Sequence, residues 1–322
     1  MDTEQFKAYK DRAWAETRSY FAKLRDGQAT RADDPQPALA QQFFEIYRDQ
    51  SGTDVGQEAL RHAFMMWGNV GSSEQVDCAL ATLDAHSPAW ADVLSGAANA
   101  YARSGRREAF DRLLQALADE LTHPRSRSAV YDALGFRALM SDRIADAAAY
   151  YRRVVELEAD PFEVLQARGA LYEIEALQPG QEAPHFHVQT IDGNAIHLLA
   201  LRGRIVLLDF WATGCGPCWP ELPHLRTLRG SYEDAVFFLI GISQDTSDQR
   251  LREVIQQERL DWPHIREPVT WSDRLPQLGT LGRLYNVWGI PRTVLIDRNG
   301  RIAAKNLRGE VLVEAVRKLT AQ

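Results

Sequence analysis

The sequence predicts two domains, an all-α domain of helical hairpins over residues 1–178 and an α/β domain over residues 179–322. The first prediction rests on apolar residues that recur at helical spacing, with no convincing strand, as far as Leu177. The second rests on strands that alternate with helices and end in a hairpin and a last helix, the pattern of a sheet covered on both faces. The dipeptide Pro179-Gly180 marks the boundary because it forces a turn.

The composition is that of an ordinary globular protein, with 45% hydrophobic and 25% charged residues. The N-terminus is polar from its second residue, and no apolar run is long enough for a secretory signal or a membrane span. The chain as it stands is therefore expected to be cytoplasmic with no membrane partner; removal of a signal peptide would make it periplasmic or extracytoplasmic. Residues 1–178 hold 20 Lys and Arg residues against 28 Asp and Glu residues, and this acidity argues against a nucleic-acid partner.

The pattern of the first domain predicts an N-terminal helix, a second helix at about 37–48, three units of two helices each, and a last helix at about 162–177. The three units are 55–69 with 73–85, 88–103 with 106–121, and 125–140 with 143–158. Successive first helices start near 55, 88, 125 and 162, a period close to the ~34 residues of a tetratricopeptide repeat.

The third unit resembles that repeat family most closely. Leu134 and Gly135 in its first helix, Ala147 and Tyr151 in its second, and Pro161 after it stand at the small, aromatic and helix-breaking positions of the repeat. The resemblance implies stacked hairpins with a concave face on which a partner protein docks. A plain helical bundle without a ligand is the alternative, because fold alone does not establish binding.

The second domain begins with a hairpin and then alternates strands and helices. The predicted strands are 185–189, 196–199, 204–210, 235–242, 292–297 and 301–306, and the predicted helices are 221–233, about 247–258, about 278–285 and a terminal helix from about 309. The strand 204–210 leads into the pair Cys215 and Cys218, so the two cysteines lie at a strand-to-helix turn.

Cys215 and Cys218 are candidate redox residues, because the partial positive charge of a helix N-terminus favours the thiolate of Cys215 and makes it a better nucleophile. Three cysteines in 322 residues cannot form a disulfide framework. A zinc half-site is the alternative, but there is no second CxxC and only His224 lies close in sequence, so no metal is expected. Cys78, in an apolar run, is expected to be a buried small side chain without a redox role.

Two segments, DFWATGCGPCWPELP at 209–223 and GIPRTVLIDRNG at 289–300, resemble the motifs of the thioredoxin-like TlpA/ResA family of thiol–disulfide oxidoreductases. The resemblance covers residues 179–322 and implies a thioredoxin-like fold. Gly214 departs from the family, which usually has a bulky residue before the first cysteine, and it leaves Cys215 less covered.

The resemblance implies different roles for the two cysteines. Cys215 attacks a substrate disulfide to form a mixed disulfide, and Cys218, one turn further on and deeper, attacks that bond and releases the reduced substrate. Gly216 permits close approach of the substrate backbone, and Pro217 stiffens the first turn. No cofactor is expected.

Two carboxylates are candidate acceptors for the proton that Cys218 must lose. Asp209 corresponds to the buried aspartate of thioredoxins, and burial would raise its pKa enough for it to accept that proton. Glu221 lies three residues after Cys218 and matches the acidic residue of the TlpA/ResA motif. The alternative for Glu221 is a carboxylate that is only favourably placed in the first turn of a helix.

The dipeptide Ile290-Pro291 matches the cis-proline loop that faces the cysteines in thioredoxin folds. A cis Pro291 would orient the backbone of Ile290 to pair with an extended substrate segment. Trp219 and Trp288 are expected to form an apolar rim around Cys215.

These residues together predict a thiol–disulfide oxidoreductase that reduces protein disulfides, with the helical domain selecting a protein partner. Its partners would be an oxidised substrate protein or a thiol protein that donates electrons. A redox-sensing repeat adaptor without turnover is the first alternative, although the complete set of site residues counts against it. A peroxiredoxin, a relative in fold, is the second, but it would need Pro-x-x-x-Thr/Ser-x-x-Cys, which precedes neither Cys215 nor Cys218.

Overall fold

The computed structural model describes residues 1–272 and 275–321, and the chain divides into two compact units, Met1–Arg168 and Gly169–Gln322. The second unit begins earlier than the boundary at 178/179 expected from the sequence, because Tyr172 and Glu173 bond to groups far along that unit. Each unit has its own hydrophobic core. Among the described residues, no helix is both long and apolar enough to cross a membrane.

The first unit is built of helices, and none of its residues, all of which the structure describes, forms a strand. The helices are α1 Thr3–Arg25, α2 Gln36–Asp49, α3 Asp54–Val70, α4 Ser73–Leu80, α5 Trp90–Arg103, α6 Arg107–Glu120, α7 Pro124–Met140, α8 Ile144–Leu157 and α9 Pro161–Ala176. A short 3-10 helix, Arg31–Asp33, precedes α2, and α9 ends in the second unit. The prediction of an all-helical first half is confirmed.

Neighbouring helices approach closely where small residues lie between them. α3 packs on α2 and α5, and α7 packs on α5 and α8. A Cβ atom added at Gly68 would lie 2.7 Å from the carbonyl oxygen of Gly96, so glycine is what lets α3 and α5 meet there. A Cβ atom added at Gly135 would lie 2.9 Å from the ring of Tyr151, so glycine at this position lets α7 lie close against α8.

Cys78 is exposed, so the expectation that it is a buried side chain is wrong. It lies in α4, whose buried side chains are Ser73, Val76, Ala79 and Leu80. These residues recur at three- and four-residue spacing and form the inward face of the helix, and Cys78 falls outside that face. The helix also ends at Leu80, short of residue 85.

The second unit is an α/β domain, as the sequence predicts. Its strands are β1 His187–Gln189, β2 Ala195–His197, β3 Ile205–Trp211, β4 Phe237–Ser243, β5 His264–Arg266, β6 Thr270–Ser272, β7 Leu275–Gln277, β8 Arg292–Ile296 and β9 Ile302–Lys305. Its helices are α10 Leu222–Ser231, α11 Asp248–Glu258, α12 Thr280–Leu284 and α13 Gly309–Thr320.

Five of these strands form a mixed sheet in the order β5-β4-β3-β8-β9. Strands β3, β4 and β5 are parallel, whereas β8 is antiparallel to β3 and β9 is antiparallel to β8. β1 pairs with β2 and β6 pairs with β7, each antiparallel and outside the five-stranded sheet. The carboxyl ends of β3 and β4 and the start of β8 therefore lie at one edge of the sheet.

Strand β3 is buried along its whole length, and its side chains alternate between two cores. One core receives Val206, Leu208 and Phe210, and the other receives Ile205, Leu207 and Trp211. The second core also contains Cys218 and the inward side chains of α10, α11 and α13. The central strand thus leads into the cysteines and supplies one wall of the core beneath them.

The sequence does not predict β5, β6 and β7, each of which has three residues, too few for an alternating pattern to stand out. The strand expected at 196–199 ends at His197 and is followed by a 3-10 helix, Leu198–Leu201. The helix expected over 221–233 is α10, and a 3-10 helix, Gly216–Glu221, precedes it. Pro220 has no N–H, so it cannot donate to the carbonyl of residue 216 as an α-helix starting at the cysteines would require.

Candidate active site

Cys215 and Cys218 form a disulfide at the start of the 3-10 helix that follows β3. Their Cα atoms are 5.4 Å apart, and the Cys218 amide donates a hydrogen bond of 3.0 Å to the Cys215 carbonyl oxygen, which closes the turn. Cys215 is half-buried, whereas Cys218 is only 4% exposed and packs in the core beneath α10. Cys215 is therefore the more accessible of the two cysteines to a molecule in solution.

Asp245, which neither sequence motif contains, restrains the segment just before the cysteines. Its carboxylate accepts hydrogen bonds from the Thr213 amide at 2.9 Å, from the Thr213 hydroxyl at 2.6 Å and from the Ser243 hydroxyl at 2.7 Å. The Gln244 amide adds a bond of 2.9 Å to the Trp211 carbonyl oxygen. The signal that could have identified Asp245 is its position two residues beyond the end of β4, at the carboxyl edge where ligands of α/β sheets bind.

Asp209 lies inside the sheet, where its cross-strand neighbours are Gly241 of β4 and Thr293 of β8. It is 3% exposed, and alternation along β3 places its side chain on the same face as Trp211, towards the core that contains Cys218. Burial raises the pKa of Asp209 from 3.8 to about 7, and the negative charge of Glu221 adds to the rise. A carboxyl group with this pKa can both gain and lose a proton near neutral pH.

Glu221 is the last residue of the 3-10 helix, and its Oε2 accepts a hydrogen bond of 2.8 Å from the Gly309 amide. Gly309 is the first residue of α13, so this carboxylate partners one of the free N–H groups at a helix start. Its charge also acts on Asp209. The structure therefore brings the two predicted carboxylates together, one in the sheet and one between the cysteine turn and α13.

The Ile290–Pro291 peptide bond is cis. Ile290 is half-buried and packs against the same core as Cys215 and Trp219. The Pro291 carbonyl oxygen accepts a hydrogen bond of 2.8 Å from the Arg308 guanidinium. The proline loop and the cysteine turn thus lie at the same edge of the sheet.

The other predicted site residues are less closely tied to the cysteines. Trp288 is half-buried, and its indole N–H donates a hydrogen bond to Asn286. Gly216 and Pro217 are exposed, and a Cβ atom added at Gly216 would meet no atom within 4 Å. Crowding within the chain therefore does not explain glycine there, and close approach of a substrate stays a prediction. In the part of the chain that the structure describes, no group of three or more potential ligands is placed to hold a metal ion.

Known proteins resemble this chain in its second half. A profile of the AhpC/TSA family matches residues 179–305. The thiol-disulfide oxidoreductase ResA of one Bacillus cereus strain is 30% identical over 138 residues, which are 43% of this chain and 75% of that protein. The thioredoxin-like protein YneN of Bacillus subtilis (strain 168) is 32% identical over 128 residues, which are 39% of this chain and 69% of that protein.

Among solved structures, the thioredoxin domain of a thiol-disulfide oxidoreductase from Bacteroides vulgatus is 28% identical, with a TM-score of 0.38, and the match covers 45% of this chain and 99% of that one. The match to the Bacillus cereus protein combines 30% identity with three quarters of that protein's length. It confirms the resemblance that the two motifs carry. The chain belongs to the ResA family of thiol–disulfide oxidoreductases.

Proposed function

We propose that this chain reduces disulfide bonds in proteins through the dithiol of Cys215 and Cys218. The observation that carries the proposal is the difference between the two cysteines. Cys215 is partly exposed, whereas Cys218 is buried in the core faced by Asp209, a carboxyl group with a pKa of about 7. Membership of the ResA family supports the type of reaction.

The reaction starts from the reduced enzyme. The thiolate of Cys215 attacks one sulfur of the substrate disulfide, that bond breaks, and the other substrate sulfur leaves as a thiolate and takes a proton from solvent. Cys218 then attacks the sulfur of Cys215, the mixed disulfide breaks, and the second substrate sulfur leaves as a thiolate. Two electrons have passed to the substrate, and the enzyme holds the disulfide present in this structure. A thiol protein would restore the dithiol by the reverse exchange.

In this proposal Asp209 accepts the proton that Cys218 must lose before it attacks. Because burial raises the pKa of Asp209 to about 7, both the ionised and the protonated form of this carboxyl group are accessible near neutral pH. Glu221 raises that pKa, and its own carboxylate is bonded to the start of α13. We therefore assign the proton transfer to Asp209 and the adjustment of its pKa to Glu221.

The polypeptide around the substrate disulfide would pair with the backbone of Ile290 and pass over Gly216 and Pro217. Trp219 and Trp288 would flank it with apolar surface. Reduction rather than oxidation is the proposed direction, and it assumes a reducing compartment such as the cytoplasm that the sequence predicts.

The proposal is tested by reduction of insulin disulfides with dithiothreitol as electron donor. Cys215→Ser should lose about 1,000-fold or more in rate, because it removes the attacking nucleophile. Cys78→Ser is the matched control, since it removes the one remaining cysteine and should keep the wild-type rate. Equal rates for wild type and Cys215→Ser would contradict the proposed reductase activity and favour the alternative of a redox-sensing adaptor without turnover.

We also propose that the first unit binds a partner protein in the manner of tetratricopeptide repeats. A cavity of about 500 Å³ between α5, α6 and α7 supports this proposal. Ala98, Ala102 and Phe110 contribute to its lining. Phe136 and Met140 also belong to the lining and are 57% and 69% exposed. Large apolar side chains that are exposed together are typical of surfaces that bind other proteins.

Mixed-disulfide trapping with full-length Cys218→Ser tests this second proposal, because the captured protein identifies the substrate. Adding Phe136→Asp and Met140→Asp should reduce the captured amount several-fold. Leu199→Asp is the matched control, since Leu199 is an exposed apolar residue of the second unit. Equal capture with and without the Phe136 and Met140 substitutions would contradict recruitment by this cavity.

A further inference from the structure

Glu173, near the end of α9, holds a cluster of polar side chains in the second unit. Its Oε1 accepts hydrogen bonds from the Arg292 guanidinium at 2.6 Å and the Lys305 ammonium at 2.8 Å, and its Oε2 accepts one from the Asn286 amide at 3.0 Å. Asn286 Oδ1 in turn accepts a bond of 2.5 Å from the Trp288 indole N–H. The Glu173, Arg292 and Lys305 side chains are only 23%, 16% and 12% exposed.

This Glu173 cluster holds the chain on both sides of the cis-proline loop. Asn286 and Trp288 precede Ile290–Pro291, and Arg292 follows it as the first residue of β8. One carboxylate therefore restrains both the segment that enters the loop and the strand that leaves it. The predicted substrate contact, the backbone of Ile290, lies between these two restraints.

The absence of a side chain at Gly169 in α9 leaves room for two members of the cluster, Asn286 and Trp288. A Cβ atom added at Gly169 would collide with Asn286 Oδ1 and would lie 3.0 Å from Trp288 Nε1. Glycine therefore lets the Asn286–Trp288 pair lie directly against the helix. The Tyr172 hydroxyl adds a hydrogen bond of 3.2 Å to the Leu284 carbonyl oxygen. These α9 residues all precede residue 179, where the match to the AhpC/TSA family begins.

We propose that Glu173 is a positioning residue for disulfide exchange: it preforms the Ile290 backbone and the Trp288 indole for an extended polypeptide substrate. The inference rests on the proposed function, because it concerns how that substrate is bound. Without the carboxylate, Arg292 and Lys305 would be half-buried cations that repel each other, and Asn286 would lose the acceptor that fixes its orientation. The bonds of the cluster do not include the cysteines, so a small disulfide without a polypeptide chain should react almost normally.

The first test compares full-length wild type with Glu173→Gln, which keeps the shape of the side chain and removes its charge. KM for a disulfide-containing polypeptide should rise about tenfold with kcat changed less than about twofold, because binding geometry is lost and the sulfur chemistry is kept. The rate with a small aromatic disulfide should change less than about twofold. Glu173→Asp should recover part of the loss. Glu182→Gln is the control, since Glu182 also binds an arginine, Arg202 at 2.6 Å, but is exposed.

A second variant perturbs Asn286 and Trp288 without removing the charge of Glu173. Gly169→Ala leaves the charge of Glu173 in place and drives a methyl group into Asn286 and Trp288. Alanine forms helix better than glycine, so a role in helix stability alone would predict an unchanged or higher Tm and an unchanged KM. Positioning predicts the same tenfold rise in KM as for Glu173→Gln. Gly230→Ala in α10 is the control, because a Cβ atom there meets nothing within 4 Å.

Hydrogen exchange followed by mass spectrometry gives a readout that does not depend on activity. Amides of residues 286–292 should exchange faster in Glu173→Gln and Gly169→Ala than in wild type, and at the wild-type rate in both controls. Unchanged exchange there would overturn the positioning role. Faster exchange with equal kinetic losses for small and polypeptide disulfides would overturn the assignment to substrate binding. A wild-type chain that reduces neither disulfide would overturn the proposed function, while the exchange data would still decide the positioning role.

Discussion

Asp209 is a buried and Glu173 a half-buried carboxylate of the second unit, and their surroundings shift their pKa values in opposite directions. Burial and the charge of Glu221 raise the pKa of Asp209 to about 7. Burial acts on Glu173 in the same direction, but Arg292 and Lys305 outweigh it and lower the pKa of that carboxyl below 4.5. The charges beside each carboxyl group, together with burial, therefore decide the direction in which its pKa is shifted.

The largest effect expected from this comparison is that of Asp209→Asn on the second step of exchange. The amide keeps the shape of the side chain but cannot accept the Cys218 proton, so release of the second substrate thiol should slow by about 100-fold at pH 7. The measurement is the decay of a preformed mixed disulfide on Cys215, followed from pH 5 to pH 9. In wild type the rate should rise with pH through about 7, the pKa of Asp209. In Asp209→Asn the rate should lack this step near pH 7 and should rise only at higher pH, where hydroxide removes the Cys218 proton.

Asp192→Asn is the control for this experiment, because Asp192 is an exposed residue outside the site. A mixed disulfide that decays at the wild-type rate in Asp209→Asn would remove Asp209 from the reaction. The raised pKa of Asp209 would then be a consequence of its burial without a part in the exchange.

Glu173→Ala should lower the free energy of unfolding by about 2 kcal/mol at pH 7, because Arg292 and Lys305 would keep their charges in sites that are only 16% and 12% exposed. The pKa of Glu173 is lowered in the folded chain, so its contribution is present above pH 4.5 and is lost as the pH falls. Urea unfolding should therefore show a difference between wild type and Glu173→Ala that narrows in acid.

The contribution of Asp209 to the free energy of unfolding should change with pH in the direction opposite to that of Glu173. Its pKa is raised from 3.8 to about 7, so the stability that comes from its protonated form is present below pH 3.8 and is lost as the pH rises through about 7. Asp209→Asn should consequently be more stable than wild type at pH 8. For each variant, the measured quantity is the difference from wild type in free energy of unfolding as a function of pH. If this difference changed with pH in the same direction for Glu173→Ala and Asp209→Asn, the opposite pKa shifts of Glu173 and Asp209 would be contradicted.

The sequence predicts Asp209 but not Glu173, and the reason lies in the distance along the chain between interacting residues. Asp209 stands within a contiguous motif with the cysteines, so its neighbours are visible in the sequence. Glu173 meets Arg292 and Lys305, 119 and 132 residues further on, and within its own helix it has only the pattern of an ordinary polar position. The long helices and the central strands were predictable from their periodicity, whereas such long-range pairs leave no local pattern. Cys78 shows the same limit, since an apolar run does not indicate which side of a short helix faces the core.

A smaller effect is expected from Glu221→Gln. The amide can still accept the Gly309 hydrogen bond, but it removes the negative charge that raises the pKa of Asp209. The pKa of Asp209 should fall, and the rise of the mixed-disulfide decay rate should move to lower pH, with a gain of about threefold at pH 6. A large loss of rate at every pH would instead assign Glu221 a direct part in the proton transfer.

The smallest effect is expected at Gly214, where the TlpA/ResA family usually has a bulky residue. A Cβ atom at Gly214 would meet nothing within 4 Å, and its backbone is not in the left-handed region, so Gly214→Ala should change the free energy of unfolding by less than about 0.5 kcal/mol. Thermal unfolding and the rate with a small disulfide are the measurements.

The two glycines extend the comparison of the two carboxylates. At Gly169 the chain's own side chains fill the space that a methyl group would take, whereas at Gly214 that space is open to solution. The cluster proposed to hold the loop requires filled space, as at Gly169. A cysteine proposed to react with another protein requires open space beside it, as at Gly214. If Gly214→Ala lowered the free energy of unfolding by more than about 1 kcal/mol, the turn before Cys215 would be packed in the folded chain, and the access on which the proposed exchange depends would be reduced.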